Sequence, residues 1–432
     1  MKRKESTSKD TQSVALTIYN DDFGLVKERR AMQLSGEEEV LVFSDVTERI
    51  DTNSLLVEGV HVDEFNYEFD LVGKKKLLEK YIGKEVFLKD QKTSEKLKCR
   101  LLSVEKKGRC VLEEVETGEI YVDTSLELVL PALPSGLLVK PALIWKIQKT
   151  QAEQVNVSYL SGGFSWQANY VAEIKETGLS LTSWAEIENK SGATFTDAKI
   201  KLIAGDVKRV SQYFRSHARH IVLEEAHTFE EKEFFDYHLY TLNHPTTLKN
   251  NQKKQIQLFN GSNIAYKKYY EISAYSKKPE VMIEFENAKD NGLGMPFPKG
   301  IFRMYQRDDG DGSLEFIGED SIDHSPVDQL IRLNVGEAFD VECLHRELSR
   351  YKQKGVVTVK KSYEIKNHKN ESIQVRVKHF MEEDYWKMIT TSHPYEEKSS
   401  KMIEFSLRVS EKSNLTITFE YEMDTTIHFR KD

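Results

Sequence analysis

Residues 414–423 read Asn-Leu-Thr-Ile-Thr-Phe-Glu-Tyr-Glu-Met and alternate polar with apolar side chains without a break. A period of two is typical of a β-strand that buries one face. Residues 403–409 and 373–377 alternate in the same way. Strands of this kind, close together in the sequence, predict antiparallel sheets that pack on one apolar face, as in a sandwich.

Length and composition bound the number of domains, and the alternating strands indicate their class. A chain of 432 residues exceeds one hydrophobic core, and 39% hydrophobic with 10% aromatic residues suffices to build several cores. We therefore predict a mostly β protein: multi-domain antiparallel β-sandwiches with a small SH3-like barrel insertion and few short helices. The net charge of −8 argues against general affinity for nucleic acid or anionic membranes.

The sequence also favours a location. Cys99, Cys110 and Cys343 show no CxxC spacing, which is typical of free thiols in a reducing compartment. The charged start lacks a following apolar core, so no secretory signal is expected. Prolines interrupt the apolar stretch 126–145, so no membrane insertion is expected. These features predict a cytoplasmic protein.

Turn residues and changes in composition predict the domain organisation, because Gly, Asp, Asn and Ser clusters separate short β-type runs. The predicted parts are a disordered tail (1–13), an amino-terminal β domain (14–81), a small SH3-like barrel insertion (82–130), a linker and return strand (131–145), a central β domain (146–340) with an irregular excursion (211–238), and a carboxy-terminal immunoglobulin-like sandwich (341–432). A short helix is predicted at 74–81. Mixed charge in the insertion argues against nucleic-acid binding.

Several stretches resemble a known family, and they are residues 18–28, 158–166, 188–192, 203–207, 245–249, 316–324 and 367–369. With these stretches the chain resembles the bacterial and archaeal family called domain of unknown function 4139, some members of which are named mucoidy inhibitor A. The resemblance implies a β architecture and supplies no catalytic residues. Many relatives carry a signal peptide and a coiled coil near the amino end, where this chain has the small-barrel segment.

Two acidic groups are candidate cation sites. The carboxylates of residues 308–315 suit a hard cation such as Ca²⁺, but Asp and Gly at this position also suit a hairpin turn. Glu319, Asp320, Asp323 and His324 combine carboxylates with an imidazole, as a metal or acid–base site requires. The same side chains can instead bond backbone groups where strands cross.

Histidines and tryptophans give two further hypotheses. The spacing of His217 and His220 would place both imidazoles on one helix face as zinc ligands, or the side chains are simply solvated, as for His227 and His238. In β-type segments, Trp166 and Trp184 either stack on a sugar or peptide ligand or belong to the core.

No nucleophile elbow, Walker loop, dinucleotide glycine pattern or HExxH motif is present. The function predicted from the sequence is therefore a non-catalytic binding or scaffold protein, with a protein as its partner and no cofactor. The alternative is a metal-assisted hydrolase that uses the loop from Glu319 to His324.

Overall fold

The computed structural model describes residues 2–69, 73–90, 95–105, 109–122, 124–132, 140–205, 229–234, 237–273, 276 and 278–424. The predicted mostly β fold is confirmed. The chain forms two compact units. Unit 1 comprises Met1–Ser165, Glu188–Leu202 and His244–Lys253, and unit 2 comprises Trp166–Ile187, Ile203–Asn243 and Lys254–Asp432.

The strands of the amino-terminal half are β1 (Lys2–Ser6), β2 (Thr11–Tyr19), β3 (Phe23–Ser35), β4 (Glu38–Ser44), β5 (Ile50–Glu58), β6 (Val62–Glu68), β7 (Glu85–Lys89), β8 (Lys96–Val104), β9 (Cys110–Glu114), β10 (Ile120–Val122), β11 (Glu127–Val129), β12 (Ala142–Ile147), β13 (Gln151–Gly162), β14 (Phe164–Lys175), β15 (Gly178–Asn189) and β16 (Phe195–Ala204). In the described ranges the only α-helix is α1 (Lys74–Tyr81), with 3-10 helices at Ser8–Asp10 and Lys289–Asn291. None of these helices has the length and apolar character of a membrane span.

The remaining strands are β17 (Phe229–Phe234), β18 (Tyr237–Leu242), β19 (Thr246–Leu248), β20 (Gln252–Ile264), β21 (Tyr266–Ser273), β22 (Glu280–Glu286), β23 (Gly300–Arg307), β24 (Leu314–Ile322), β25 (Leu330–Glu337), β26 (Val341–Gln353), β27 (Val356–Asn367), β28 (Ile373–Phe380), β29 (Trp386–Thr391), β30 (Glu396–Ser399), β31 (Met402–Val409) and β32 (Ser413–Asp424). The sheets are mixed rather than purely antiparallel, because β1–β4, β14–β23 and β21–β28 are parallel pairs. Each parallel pair joins segments that are far apart in sequence.

Unit 1 contains a four-stranded sheet in the order β1-β4-β12-β6 and a second sheet that includes β16-β2-β3-β13-β5. The predicted disordered tail is wrong for residues 2–13, since β1 pairs with β4 and β2 begins at Thr11. The reason is that β1 lies at a sheet edge, where most of its charged side chains remain exposed. Its composition therefore resembles that of a solvated tail.

The segment between β6 and β12 forms a separate sheet, β10-β9-β8-β7-β11, with α1 packed against it. Its own core includes Leu78, Val86, Leu88, Cys99 and Leu101. The predicted helix at 74–81 is confirmed, and it buries Leu78 and Tyr81. Strands β6 and β12 are neighbours in the four-stranded sheet, so this segment is an insertion between two paired strands. Its SH3-like character stays a prediction.

In unit 2 a six-stranded sheet, β25-β22-β21-β28-β31-β30, shares one hydrophobic core with a four-stranded sheet, β26-β27-β32-β29. The core contains every side chain expected to point inward from the alternating segments: Val375, Val377, Phe405, Leu407, Ile417 and Phe419. The predicted boundary at 340/341 is wrong, because β21, β22 and β25 precede it and belong to the six-stranded sheet. Pairing of β21 with β28 joins distant segments, which local periodicity does not reveal.

One other predicted boundary and one predicted segment also differ from the structure. The boundary at 145/146 falls inside unit 1, where β12 is the predicted return strand. Within the predicted irregular excursion 211–238, residues 229–234 form β17, which pairs antiparallel with β18. Residues 211–228 lie outside the described residues. The three cysteines are free thiols.

Candidate functional site

The four residues of the predicted metal or acid–base site lie on and just after β24. Glu319 faces Arg303 of the neighbouring strand at 3.6 Å, and the Asp320 Oδ2 atom accepts a hydrogen bond of 2.7 Å from the Asn334 backbone N–H. The Lys299 backbone N–H donates to His324 Nδ1 at 3.1 Å. Glu319 and Asp320 are therefore strand residues, and the predicted loop is shorter than expected.

Glu319, Asp320 and His324 therefore each contact a different partner. In the part of the chain that the structure describes, no three His, Cys, Asp or Glu side chains are arranged to hold a metal ion. Asp320 and His324 instead accept backbone N–H groups, as the structural alternative predicted. The Asn334 N–H is partly buried, so its bond to Asp320 stabilises the strand end, whereas the Lys299 N–H is exposed and its bond to His324 contributes less.

The acidic stretch 308–315 contains a turn. Strands β23 and β24 pair antiparallel on either side of it, with Arg307 opposite Leu314. Asp308 accepts hydrogen bonds from Gly310 and Gly312, and Ser313 binds Asp311. The turn interpretation is confirmed.

The two tryptophans occupy different environments. Trp166 is 3% exposed, and its indole N–H donates to the Ile203 carbonyl at 2.9 Å. Its ring meets Tyr240 edge-on. The stacking hypothesis is therefore wrong for Trp166, because a buried, hydrogen-bonded indole presents no face to a ligand. Trp184 is half-buried on β15.

Of the histidines, His217, His220 and His227 lie outside the described residues, and His238 lies in β18.

Three of the stretches that carry the family resemblance meet around one side chain in unit 1. The Asn189 amide donates to the carbonyls of Ala193, Leu248 and Lys249, and its oxygen accepts from Ser191. Gly163, with φ of +88°, lies so close to Lys190 that a Cβ would stand 2.6 Å from its carbonyl oxygen. These three stretches thus form a junction of backbone segments.

A cavity of about 840 Å³ adjoins this junction in unit 1, and we call it the junction cavity. Ligand cavities typically measure ~300–1,000 Å³. Its walls come from the start of β2, from β3, from the segment after β4, and from residues 192–197 and Asn250. Strand alternation directs Glu28 and Arg30 of β3 to its floor, on the same buried face as Val26 and Met32.

The charges at the floor are bound to one another. Arg30 is 0% exposed and donates from Nε and Nη2 to Glu28 Oε2, at 2.9 and 2.7 Å. Its Nη1 binds the Ser44 carbonyl, and its guanidinium stacks 3.6 Å from the Phe43 ring centroid. The Tyr159 hydroxyl donates to the other Glu28 oxygen. The Arg30 nitrogens are thus all engaged, as burial of a charge requires.

Around the cavity the charges are more accessible. Asp45 pairs with Lys140 at 2.9 Å and accepts from the Ser8 hydroxyl. Burial alone would raise the pKa of the Asp45 carboxyl, but the hydrogen bonds from Ser8 and Lys140 outweigh burial and lower it. Glu48 and Asp197 add exposed carboxylates to the lining. The Glu28–Arg30 and Asp45–Lys140 pairs are each neutral. The Glu48 and Asp197 carboxylates therefore give the cavity a surplus of negative charge.

Sequence reasoning missed the junction cavity. One signal was present, namely that Glu28 and Arg30 occupy apolar positions of an alternating strand. The other walls come from segments distant in sequence, which no local pattern connects.

No protein-family model matches the chain, and a search of curated proteins also finds no match.

Proposed function

We propose that this chain is a non-catalytic binding or scaffold protein whose junction cavity holds a polar ligand. The observation that carries the proposal is the cavity itself, which combines a ligand-sized volume with a floor of satisfied charges. A general acid or base must exchange a proton with a substrate within hydrogen-bond reach. Glu28 and Arg30 bind each other, so we assign them the structural role of holding the cavity walls in place.

The lining favours a class of ligand. Asp197 and Glu48 are exposed carboxylates, whereas the Lys140 ammonium is paired with Asp45. Thr194, an exposed lining residue, supplies a hydroxyl. A neutral or cationic ligand with several hydroxyl or amino groups suits these walls better than an anion.

The wider setting belongs to the same proposal. We place the protein in the cytoplasm of a bacterium, as a member of the domain of unknown function 4139 family, without nucleic-acid binding. The quoted sequence stretches, the free thiols and the net charge of −8 support this placement. A protein ligand or partner remains part of the proposal. The metal-assisted hydrolase that uses the segment from Glu319 to His324 is the alternative hypothesis.

Thermal unfolding in the presence of polar compounds tests the binding proposal. The compounds are neutral sugars, amino acids and polyamines, and the proteins are wild type, Thr194→Trp at the cavity and Thr416→Trp on an exposed position of β32. A ligand that binds only the folded state raises Tm. We expect at least one class to raise the Tm of wild type and Thr416→Trp by a few degrees, and that of Thr194→Trp by much less. Equal shifts in all three proteins, or none, would contradict the proposal.

A further inference from the structure

One edge of the four-stranded sheet in unit 1 is open. Strand β6 pairs with β12 on one side, and in the described ranges no strand pairs with its other side. An edge strand presents a row of backbone N–H and C=O groups that another chain can pair with, and natural edges are often protected by proline, lysine or a bulge. From Glu64 to Glu68, β6 has none of these, since the one register shift of its pairing lies before Glu64.

One face of this edge is aromatic. Phe65 and Tyr67 of β6 lie opposite Trp145 and Leu143 of β12. Both β12 side chains are fully buried, so this is the core face of the sheet. At the open edge the core face is left uncovered, because Phe65 is 41% exposed and Phe69, just after the strand, is 63% exposed. An uncovered apolar surface at a sheet edge is typical of an interaction site.

Tyr67 holds this aromatic surface in place. Its hydroxyl donates to the carbonyl oxygens of Thr47 and Glu48, both at 3.0 Å. Its ring stacks on that of Phe69, with the centroids 5.2 Å apart. The surface is therefore ordered before a partner arrives, which reduces the entropy that binding costs.

The other face of β6 is acidic. Glu64 and Glu68 are both exposed, and they lie opposite Lys146 and Ala142 of β12. One cation therefore faces Glu64 and none faces Glu68. The next strand, β4, adds no charge to this face, where Val40 and Ser44 are the partners of the two β12 residues. Within the described ranges neither glutamate forms an ion pair.

The two faces together select the occupant. A chain that adds to β6 as a new strand places alternate side chains on the two faces. Apolar side chains suit the aromatic face, and basic side chains suit the face of Glu64 and Glu68. A second copy of β6 does not fit. Pairing that keeps the two aromatic faces together also sets these glutamates beside those of the other copy, and like charges on facing strands repel.

We propose that β6 is the docking site for an extended segment of another protein in which lysine or arginine alternates with apolar residues. The segment continues the four-stranded sheet, covers Phe65 and Phe69 with its apolar side chains, and binds Glu64 and Glu68 with its basic ones. A strand of about six residues suffices for this contact. The proposal goes beyond the ligand of the junction cavity, since it concerns a different surface of unit 1 and a protein partner.

Fluorescence anisotropy of labelled peptides with the full chain tests this proposal. The probe is Lys-Val-Lys-Phe-Lys-Val with blocked termini. One control is Glu-Val-Glu-Phe-Glu-Val, and the other is Lys-Lys-Lys-Val-Phe-Val, which has the composition of the probe without its alternation. We expect saturable binding of the probe, at least about tenfold tighter than binding of either control. Absence of probe binding, or equal binding of the block peptide, would overturn the proposal.

Exposed side chains allow variants that locate the binding. Glu68→Lys should weaken the probe about tenfold, and Glu397→Lys, on the exposed edge strand β30, is its matched control. Phe69→Ser should weaken it several-fold, and Phe339→Ser, at a side chain that is 93% exposed, is the control. Thr194→Trp, which alters the junction cavity, should leave the affinity unchanged. Losses in the controls as large as those in the β6 variants would refute a site at β6.

Analytical ultracentrifugation tests the second copy as an occupant. We expect wild type and Phe69→Ser to have the same oligomeric state, because the acidic face of β6 opposes self-pairing. A wild-type dimer that Phe69→Ser converts to a monomer would assign this edge to self-association and overturn the proposal.

Discussion

Glu28 and Arg30 stand two residues apart on β3 and form an ion pair within the interior of unit 1, in which two Arg30 nitrogens donate to one Glu28 oxygen. The alternation of the strand places both on its buried face, where Val26 and Met32 are their neighbours. Such a pair is weak evidence of net stability, because both charges lose their hydration. Removal of a single partner, however, leaves one buried charge without compensation.

We expect Glu28→Leu to reduce the free energy of unfolding by about 3–5 kcal/mol, since it isolates the Arg30 guanidinium. Urea unfolding of the full chain, followed by circular dichroism, measures the change. The control is Glu28→Leu combined with Arg30→Met, which removes both charges and should be no less stable than the single variant. A double variant that adds the two single losses would contradict this account.

The register of β32 gives a second prediction. Phe419 is 1% exposed and packs on Phe405, whereas its neighbour Thr418 faces away from the core and is half-buried. Phe419→Ala should cost about 3–5 kcal/mol through lost burial and the cavity it leaves. Thr418→Ala should cost much less. Urea unfolding of both variants checks the prediction, and equal small losses would show that the register is different.

Acid should destabilise the sandwich of unit 2 through His379. Burial, with the nearby charges of Lys361 and His345, lowers the pKa of the His379 imidazole to about 3, and Glu382 acts in the opposite direction. The unfolded chain takes up a proton near pH 6.5, so it binds more protons than the folded state between pH 6.5 and 3. This histidine therefore favours the fold fully above pH 6.5, and its contribution falls as the pH decreases.

The loss should approach about 1.4 kcal/mol per pH unit below pH 6.5. Other groups titrate in the same range, so the measurement is the difference between wild type and His379→Gln from pH 7.5 to 4.5. Gln keeps a polar group near the Tyr363 hydroxyl, which binds Nδ1 of His379 at 2.8 Å. Parallel stability curves for the two proteins would show that His379 does not contribute.

Elemental analysis distinguishes the structural role of the Glu319 to His324 segment from the hydrolase hypothesis. We expect His324→Gln and Asp323→Asn to lower Tm only slightly, because the Lys299 N–H that His324 accepts is exposed and can bond water instead. Neither substitution should change the metal content of protein purified without chelator. About one metal per chain in wild type, lost from folded variants, would favour the hydrolase.

Periodicity predicted the strands well, because burial of one face of a strand produces an alternating pattern within that same segment of sequence. The segments 373–377, 403–409 and 414–423 are strands whose expected inward residues lie in one core. Pairing over long distances was not predictable in this way. Tyr270 lies beside Val375 in a parallel pair, and neither segment carries a signal for the other. The same limit hid the junction cavity, whose walls come from segments distant in sequence.

The insertion between β6 and β12 leaves and re-enters the four-stranded sheet at one rung, where Glu68 is paired with Ala142. The host strands therefore hold the two ends of the insertion at adjacent positions, whatever is connected between them. Because closing a longer loop between fixed ends costs little extra entropy, modules of very different size fit at this point. Unit 1 thus has a place at which a folded module can be exchanged during evolution, or by a protein engineer, without altering the host sheet.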